Sequence, residues 1–250
     1  MIFQIRVQKK TGLQAELQED GTGFLYPAIK GIRNIEKLTG GIYGKIMLAE
    51  LGLMAAEGKT SKEEVTRLAK DGFEAFGKVH DSFVNIYESN AGERDMLARV
   101  ASAFYDTAIG NGLVYLEGSE SCLQSMISGK MDCDIASDLV IQLGGEVGVR
   151  LNGVNIPAQE EGKPGHFACV QINPISAQKR FLDAFLLVAH KEYEGTDARK
   201  LKDAVLKACL HQKNDFDVMY PDYEIIKDEE ELNPGKNMLD IELHMKDMKK

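Results

Sequence analysis

Residues 129–143 read GKMDCDIASDLVIQL, and this stretch decides the fold. Ala136, Leu139, Val140 and Leu143 recur at steps of three and one, which places them on one face of an α-helix. Gly129 ends the preceding segment, so the pattern predicts a helix over residues 133–143 with an apolar side that packs against other elements.

Two β-like runs follow this helix. Residues 147–156 carry alternating apolar side chains, interrupted by the turn-forming pair Asn152-Gly153. A polar loop over residues 158–165 then leads to a second apolar run at residues 166–172. This order predicts an α+β core in which a small central antiparallel sheet packs against the helix that begins at Cys133.

Most of the remaining chain shows helical periodicity. Ser61 is a predicted N-cap with Glu64 in the capping-box position, and the helix after it has an apolar stripe. That stripe consists of Val65, Ala69, Phe73, Phe76, His80, Phe83 and Tyr87. Further helices are predicted over residues 46–56, 92–109, 119–128, 177–193 and 197–212, with two short ones in the C-terminal tail and a strand at residues 2–7.

The chain thus divides into three predicted regions. Residues 1–110 form a helical N-terminal region, residues 111–176 form the α+β core, and residues 177–250 form a helical C-terminal region. The fold class expected from this organisation is α+β, mostly helical.

Composition excludes several classes of function. The 250 residues include 39 acidic and 30 basic side chains, a net charge of −9, which argues against a nucleic-acid-binding protein. No apolar run approaches the length of a membrane span. The four cysteines lack a disulfide pattern and the N-terminus does not resemble a secretory signal, so we expect a cytoplasmic protein.

Cys133 is the candidate nucleophile. A thiol at the start of a helix meets the positive end of the helix dipole and free backbone N–H groups, and both favour the thiolate. The same N–H groups can stabilise the oxyanion that forms when sulfur attacks a carbonyl. Asp132 and Asp134 oppose thiolate formation, so a cationic partner is needed.

His166 is the candidate partner, because it begins the second β run and can meet the start of the helix at one edge of the sheet. A third polar residue should orient the imidazole, and the nearest candidate is Asn173 at the end of the same run. Asn173 also precedes Pro174, so a plain turn is the alternative interpretation of this residue.

Structural interpretations compete with these assignments. Cysteine is often a small buried hydrophobe, and this is the expected role of Cys122, Cys169 and Cys209. His166 and Cys169 form an HxxC pair, but without a second pair a zinc site is not indicated. His80 lies on the apolar stripe and is expected in the core.

The segment from residue 119 to 173 resembles the core of the transglutaminase-like superfamily of papain-type cysteine enzymes. The resemblance rests on Gly129, Asp132-Cys133-Asp134, Ser137, Leu139, Gly148, Ile156-Pro157 and Pro164-Gly165-His166-Phe167. It implies that Cys133 is the nucleophile and His166 the base, with a downstream Asp or Asn orienting the imidazole.

Two functions follow as expectations. The first is cysteine-dependent acyl transfer or hydrolysis of a peptide or amide bond in a peptide or protein substrate, which requires no metal or organic cofactor. The alternative is a catalytically inactive module of the same fold, whose helical regions would contact a protein partner.

Overall fold

The structure, a computed structural model, describes residues 24–118, 121–158, 165–189 and 197–226. Within these ranges the fold is α+β and mostly helical, with a small antiparallel sheet, as the sequence predicts. The helices are α1 (Tyr26–Ile29), α2 (Ile35–Gly40), α3 (Ile42–Glu57), α4 (Lys62–Ser89), α5 (Met96–Asn111), α6 (Cys122–Ser128), α7 (Cys133–Glu146), α8 (Ala198–Cys209) and α9 (Lys213–Met219). The strands are β1 (Val114–Tyr115), β2 (Lys130–Met131), β3 (Asn152–Ile156), β4 (His166–Ile172), β5 (Lys179–Leu182), β6 (Leu210–Gln212) and β7 (Glu224–Ile225).

Helix α4 is the centre of the helical part. The Ser61 hydroxyl accepts a hydrogen bond from the Glu64 N–H, which is the predicted cap. All seven residues of the apolar stripe are buried, so this face of α4 packs into the main core. His80 is among them, 3% exposed, in agreement with the prediction of a core histidine.

The five-stranded sheet has the order β6-β5-β4-β3-β7, and all of its pairs are antiparallel. Alternate side chains point to opposite faces of a strand. On β4, Cys169 therefore joins the main core beneath α7, whereas Ala168 and Val170 join a second cluster that contains Phe216 of α9. The sheet is thus covered on one face by α7 and on the other by α9.

The segment after β4 corrects one prediction. Residues 177–193 were expected to form a helix, but the structure has β5 followed by a 3₁₀ helix, Ala184–Leu187. The cause is a turn: the Asn173 side-chain oxygen accepts hydrogen bonds from the Ile175 and Ser176 N–H groups, and the chain reverses. Strand β5 then pairs with β4 instead of continuing as a helix.

Other boundaries differ in smaller ways. Strand β3 begins at Asn152 rather than residue 147, because α7 continues to Glu146 and Gly148 turns the chain with a φ of 79°. Residues 210–212, predicted as helix, pair with β5 as strand β6. The predicted strand at residues 2–7 and the tail beyond residue 226 lie outside the described residues. Among the helices that the structure describes, none combines the length and the apolar character needed to cross a membrane.

Asp95 joins the helical part to the sheet, and its replacement should weaken the fold. Its carboxylate caps α5 by accepting from the Leu97 and Ala98 N–H groups, and it also pairs with Arg180 of β5. Since a lost N-cap costs about 0.5–2 kcal/mol, Asp95→Ala should lower the free energy of unfolding by about 1 kcal/mol. Urea titration measures this loss.

Asp95→Asn serves as the matched control, because it retains the capping oxygen but not the charge. It should lose less than half as much stability as Asp95→Ala. Equal losses in the two variants would show that the ion pair with Arg180, and not the cap, carries the stabilisation.

Candidate active site

Cys133 is the first residue of α7. Asp132 caps the helix by accepting a hydrogen bond from the Ile135 N–H, so the helix begins where the sequence predicts. As the first helical residue, Cys133 has a backbone N–H without an intrahelical acceptor. Cys133 is also partly exposed, whereas the other three cysteines are buried. Its thiol is therefore accessible beside a group that could bind an oxyanion.

Helix α7 is fixed to strand β4 close to both candidate residues. The buried Ser137 hydroxyl, one turn after Cys133, donates a hydrogen bond of 3.3 Å to the Phe167 carbonyl. The Ser137 carbonyl in turn accepts a 3.6 Å contact from the Cys169 thiol. These two contacts hold the start of α7 against the start of β4. This agrees with the expectation from the sequence that the two elements meet at one edge of the sheet.

The His166 side chain lies between Cys133 and Asp183. Its Nε2 atom is 2.9 Å from the Asp183 carboxylate, and the Cys133 side chain is close enough to raise the pKa of the ring. Burial alone lowers the pKa of His166, but the hydrogen bonds to Asp183 and then to Cys133 outweigh it and raise the pKa to about 10.

Asp183 occupies the position that the sequence analysis assigned to Asn173, and this corrects the assignment. Asn173 lies seven residues from His166 along one strand, a span of roughly 23 Å at about 3.3 Å per residue. Its side chain caps the turn after β4 and does not reach the imidazole. Asp183 directly follows β5, and the hairpin brings the chain back to the His166 end.

The strand register explains the position of Asp183. Cys169 pairs with Leu182, so continuing the antiparallel register places Asp183 opposite Ala168, two residues from His166. Asp183 is not apparent from the sequence, because the apolar spacing around it predicts a helix rather than a strand. An Asn-Pro turn directly after an apolar β run was the available signal for a hairpin.

The surroundings of Cys133 are acidic. Its thiol lies 3.4 Å from the exposed Asp134 carboxylate, which offers a second acceptor for the thiol hydrogen. Burial, and then repulsion from Asp134 and Asp132, raises the pKa of Asp138 to about 7. These carboxylates favour a neutral thiol, so the positive charge of His166 has to outweigh them if Cys133 is to ionise.

The remaining cysteines have the structural roles expected of them. Burial raises the pKa of the Cys122, Cys169 and Cys209 thiols well above the ordinary value, which keeps them protonated and unreactive. Cys169 and His166 are three residues apart on one strand, so their side chains point to opposite faces. The HxxC pair therefore does not converge on a common site.

The raised pKa predicts that His166 carries protons on both ring nitrogens at pH 7.5. Nitrogen-detected NMR of labelled protein should show His166 titrating near pH 10. His211, whose pKa is lowered by burial, should titrate below 6.5 and provides an internal control. Neutral His166 at pH 7.5 would show that Asp183 does not raise the pKa of the ring to this extent.

The same shift has a consequence for stability. A histidine that gains protons on folding stabilises the folded state most below its unfolded pKa of about 6.5. The contribution of His166 is therefore complete below about pH 6.5 and is lost as the pH rises toward 10. His166→Gln should flatten this part of the dependence of unfolding free energy on pH.

Comparison with known proteins gives no relative from which to transfer a function. No protein-family model matches the chain, and no curated protein or solved structure matches it either.

Proposed function

We propose that this protein is a cysteine-dependent acyl-transfer enzyme that acts on an amide bond of a peptide or protein. The observation that carries the proposal is the arrangement of His166 between the accessible thiol of Cys133 and the buried carboxylate of Asp183. A nucleophile, a base and a group that orients the base form the arrangement used for covalent catalysis. The resemblance of residues 119–173 to the transglutaminase-like superfamily supports the same proposal.

The first half of the reaction forms a thioester. His166 already holds the thiol proton as an imidazolium beside the Cys133 thiolate, and the sulfur attacks the carbonyl carbon of the amide. The oxyanion that develops accepts a hydrogen bond from the Cys133 N–H at the start of α7. The carbon–nitrogen bond then breaks, and the leaving amine takes its proton from the His166 imidazolium.

The second half releases the acyl group. Water or an amine attacks the thioester carbon while the neutral His166 removes its proton, and the carbon–sulfur bond breaks to restore the Cys133 thiolate beside the His166 imidazolium. Asp183 stays hydrogen-bonded to Nε2 throughout, so it fixes the ring orientation and stabilises the imidazolium. Every proton that leaves His166 is returned to it, and the cycle closes without a further reactant.

Reactivity of the Cys133 thiol tests the proposal. Iodoacetamide labelling of the native protein, followed by intact mass, should modify one cysteine rapidly at neutral pH. Cys133→Ala should abolish this fast phase, and His166→Ala should slow it by about 100-fold, the lower range for a positioned base. The buried thiols of Cys122, Cys169 and Cys209 supply the slow background.

One observation favours the alternative of a non-catalytic interaction module. The hydrogen bond from Cys133 to Asp134 would hold the sulfur as a neutral thiol. In that case Cys133 should label no faster than a free cysteine, with no dependence on His166. Asp134→Asn separates the two functions further, because it should accelerate labelling of an enzyme by relieving the competing acceptor.

A further inference from the structure

Aromatic side chains enclose the His166 ring outside its polar contacts. Phe185, in the 3₁₀ helix, meets the imidazole edge-on, with ring centroids 5.0 Å apart and planes at 87°. Tyr220, directly after α9, approaches the ring with a centroid distance of 6.2 Å and an interplanar angle of 44°. Edge-on and tilted contacts of this kind are favourable for aromatic rings.

The 3₁₀ helix places Phe185 where it can restrain the imidazole. It begins at Ala184, two residues after β5 ends at Leu182, so Phe185 lies near the His166 end of β4. Asp183 and Phe185, two residues apart, thus contact the same imidazole with a carboxylate and a ring.

Both aromatic rings are themselves held by neighbours. Phe185 packs against Tyr115 at 5.5 Å, and the Tyr115 N–H donates to the Val188 carbonyl at the end of the 3₁₀ helix. Tyr220 packs against the buried Phe216 at 4.9 Å. The two rings therefore belong to separate parts of the fold: Phe185 packs against β1, and Tyr220 packs against α9.

The Phe185 and Tyr220 rings lie beside the hydrogen bond between His166 and Asp183, which is largely buried. The Asp183 side chain is 4% exposed, and the His166 side chain is 21% exposed. A charged hydrogen bond is stronger where water is excluded, and an imidazole without lateral contacts can rotate away from its acceptor.

We propose that Phe185 and Tyr220 are positioning residues for His166, whose rings fix the imidazole plane and exclude water from its hydrogen bond with Asp183. The inference rests on the proposed function only in naming His166 as the base. The shielding of the Nε2 proton is a property of the folded protein and can be measured without any reaction.

Exchange of the His166 Nε2 proton with solvent tests this role. NMR at neutral pH should detect the proton in the wild-type protein as a slowly exchanging ring N–H resonance. Phe185→Leu should accelerate its exchange at least tenfold, and Tyr220→Leu should also accelerate it. Tyr220→Phe, which keeps the ring, should stay within twofold of the wild type.

Phe83→Leu is the matched control, because it makes the same substitution in the buried stripe of α4. It should leave the exchange rate unchanged even if it lowers stability. Unchanged exchange in a folded Phe185→Leu protein, or a wild-type proton too labile to observe, would overturn the proposal. If Phe185→Leu does not fold, the Tyr220→Leu and Tyr220→Phe pair decides in the same way.

Labelling of Cys133 distinguishes this inference from the proposed function. If the wild-type thiol shows no enhancement by His166, the enzyme proposal fails while the exchange result stands. If the thiol is activated, Phe185→Leu should slow its labelling by about threefold to tenfold. If the Cys133 thiol is activated but the His166 Nε2 proton exchanges rapidly with solvent, the enzyme proposal stands and the positioning role of Phe185 and Tyr220 is wrong.

Discussion

Replacing Asp183 with alanine should slow iodoacetamide labelling of Cys133 at pH 7 by about tenfold to 100-fold, the loss typical when a carboxylate that orients a metal-bound histidine is removed. The substitution removes the 2.9 Å contact with Nε2, the largest influence that raises the pKa of His166. The imidazole then loses both its preferred orientation and part of its positive charge. A time course of labelling, with samples quenched at intervals and analysed by mass spectrometry, measures the rate.

Asn173→Ala is the control for this experiment. Asn173 is the orienting residue that the sequence predicts, but it caps a turn at the end of β4 far from His166. Its replacement should leave the labelling rate within twofold of the wild type and cost only local stability. A strong effect of Asn173→Ala together with a weak one of Asp183→Ala would reverse the assignment made here.

The largest expected loss of stability follows from Phe181→Ala. Phe181 is fully buried on β5 and stacks on Phe216 of α9, with centroids 3.8 Å apart and an interplanar angle of 5°. Truncating a buried phenylalanine to alanine costs about 3–5 kcal/mol. Because whole domains are stable by only about 5–15 kcal/mol, urea denaturation should show a much lower midpoint.

Val218→Ala on α9 provides the comparison, since this side chain is 83% exposed and should contribute almost nothing. A loss below about 1 kcal/mol for Phe181→Ala would contradict the packing described here. It would mean that α9 is not tightly packed on the sheet. The position of Tyr220, directly after α9, depends on the same packing.

Sequence patterning predicted the parts of the fold that local physics determines. The capping box at Ser61 and the stripe on α4 lie in contiguous sequence, and both occur as expected. The start of α7 at Cys133 and the full extent of β4 were also predictable, because each is bounded by residues with strong local preferences.

The remaining part of the site depends on pairing between distant residues. Residues 179–187 have apolar spacing compatible with a helix, and only the hydrogen bonds of β4 make part of this segment a strand. Such a tertiary influence overrides local propensity. Asp183 was therefore hidden, while Cys133 and His166 could be proposed from their own neighbourhoods. The assignment of Asn173 failed because proximity in sequence is not proximity in space along a strand.

The two ends of the β4–β5 hairpin differ in their relation to the candidate site: one end is a turn, and the other carries His166 and Asp183. Its reversal at residues 173–178 is separated from the imidazole by paired residues from Ile172 and Lys179 to Cys169 and Leu182. Insertions, or new chain termini made by circular permutation, should be tolerated at that reversal because no contact of the site lies there. At the opposite end, a shift of one residue in the ladder would turn the carboxylate away from the ring. Variation in length is thus tolerable only at the distal end of the hairpin.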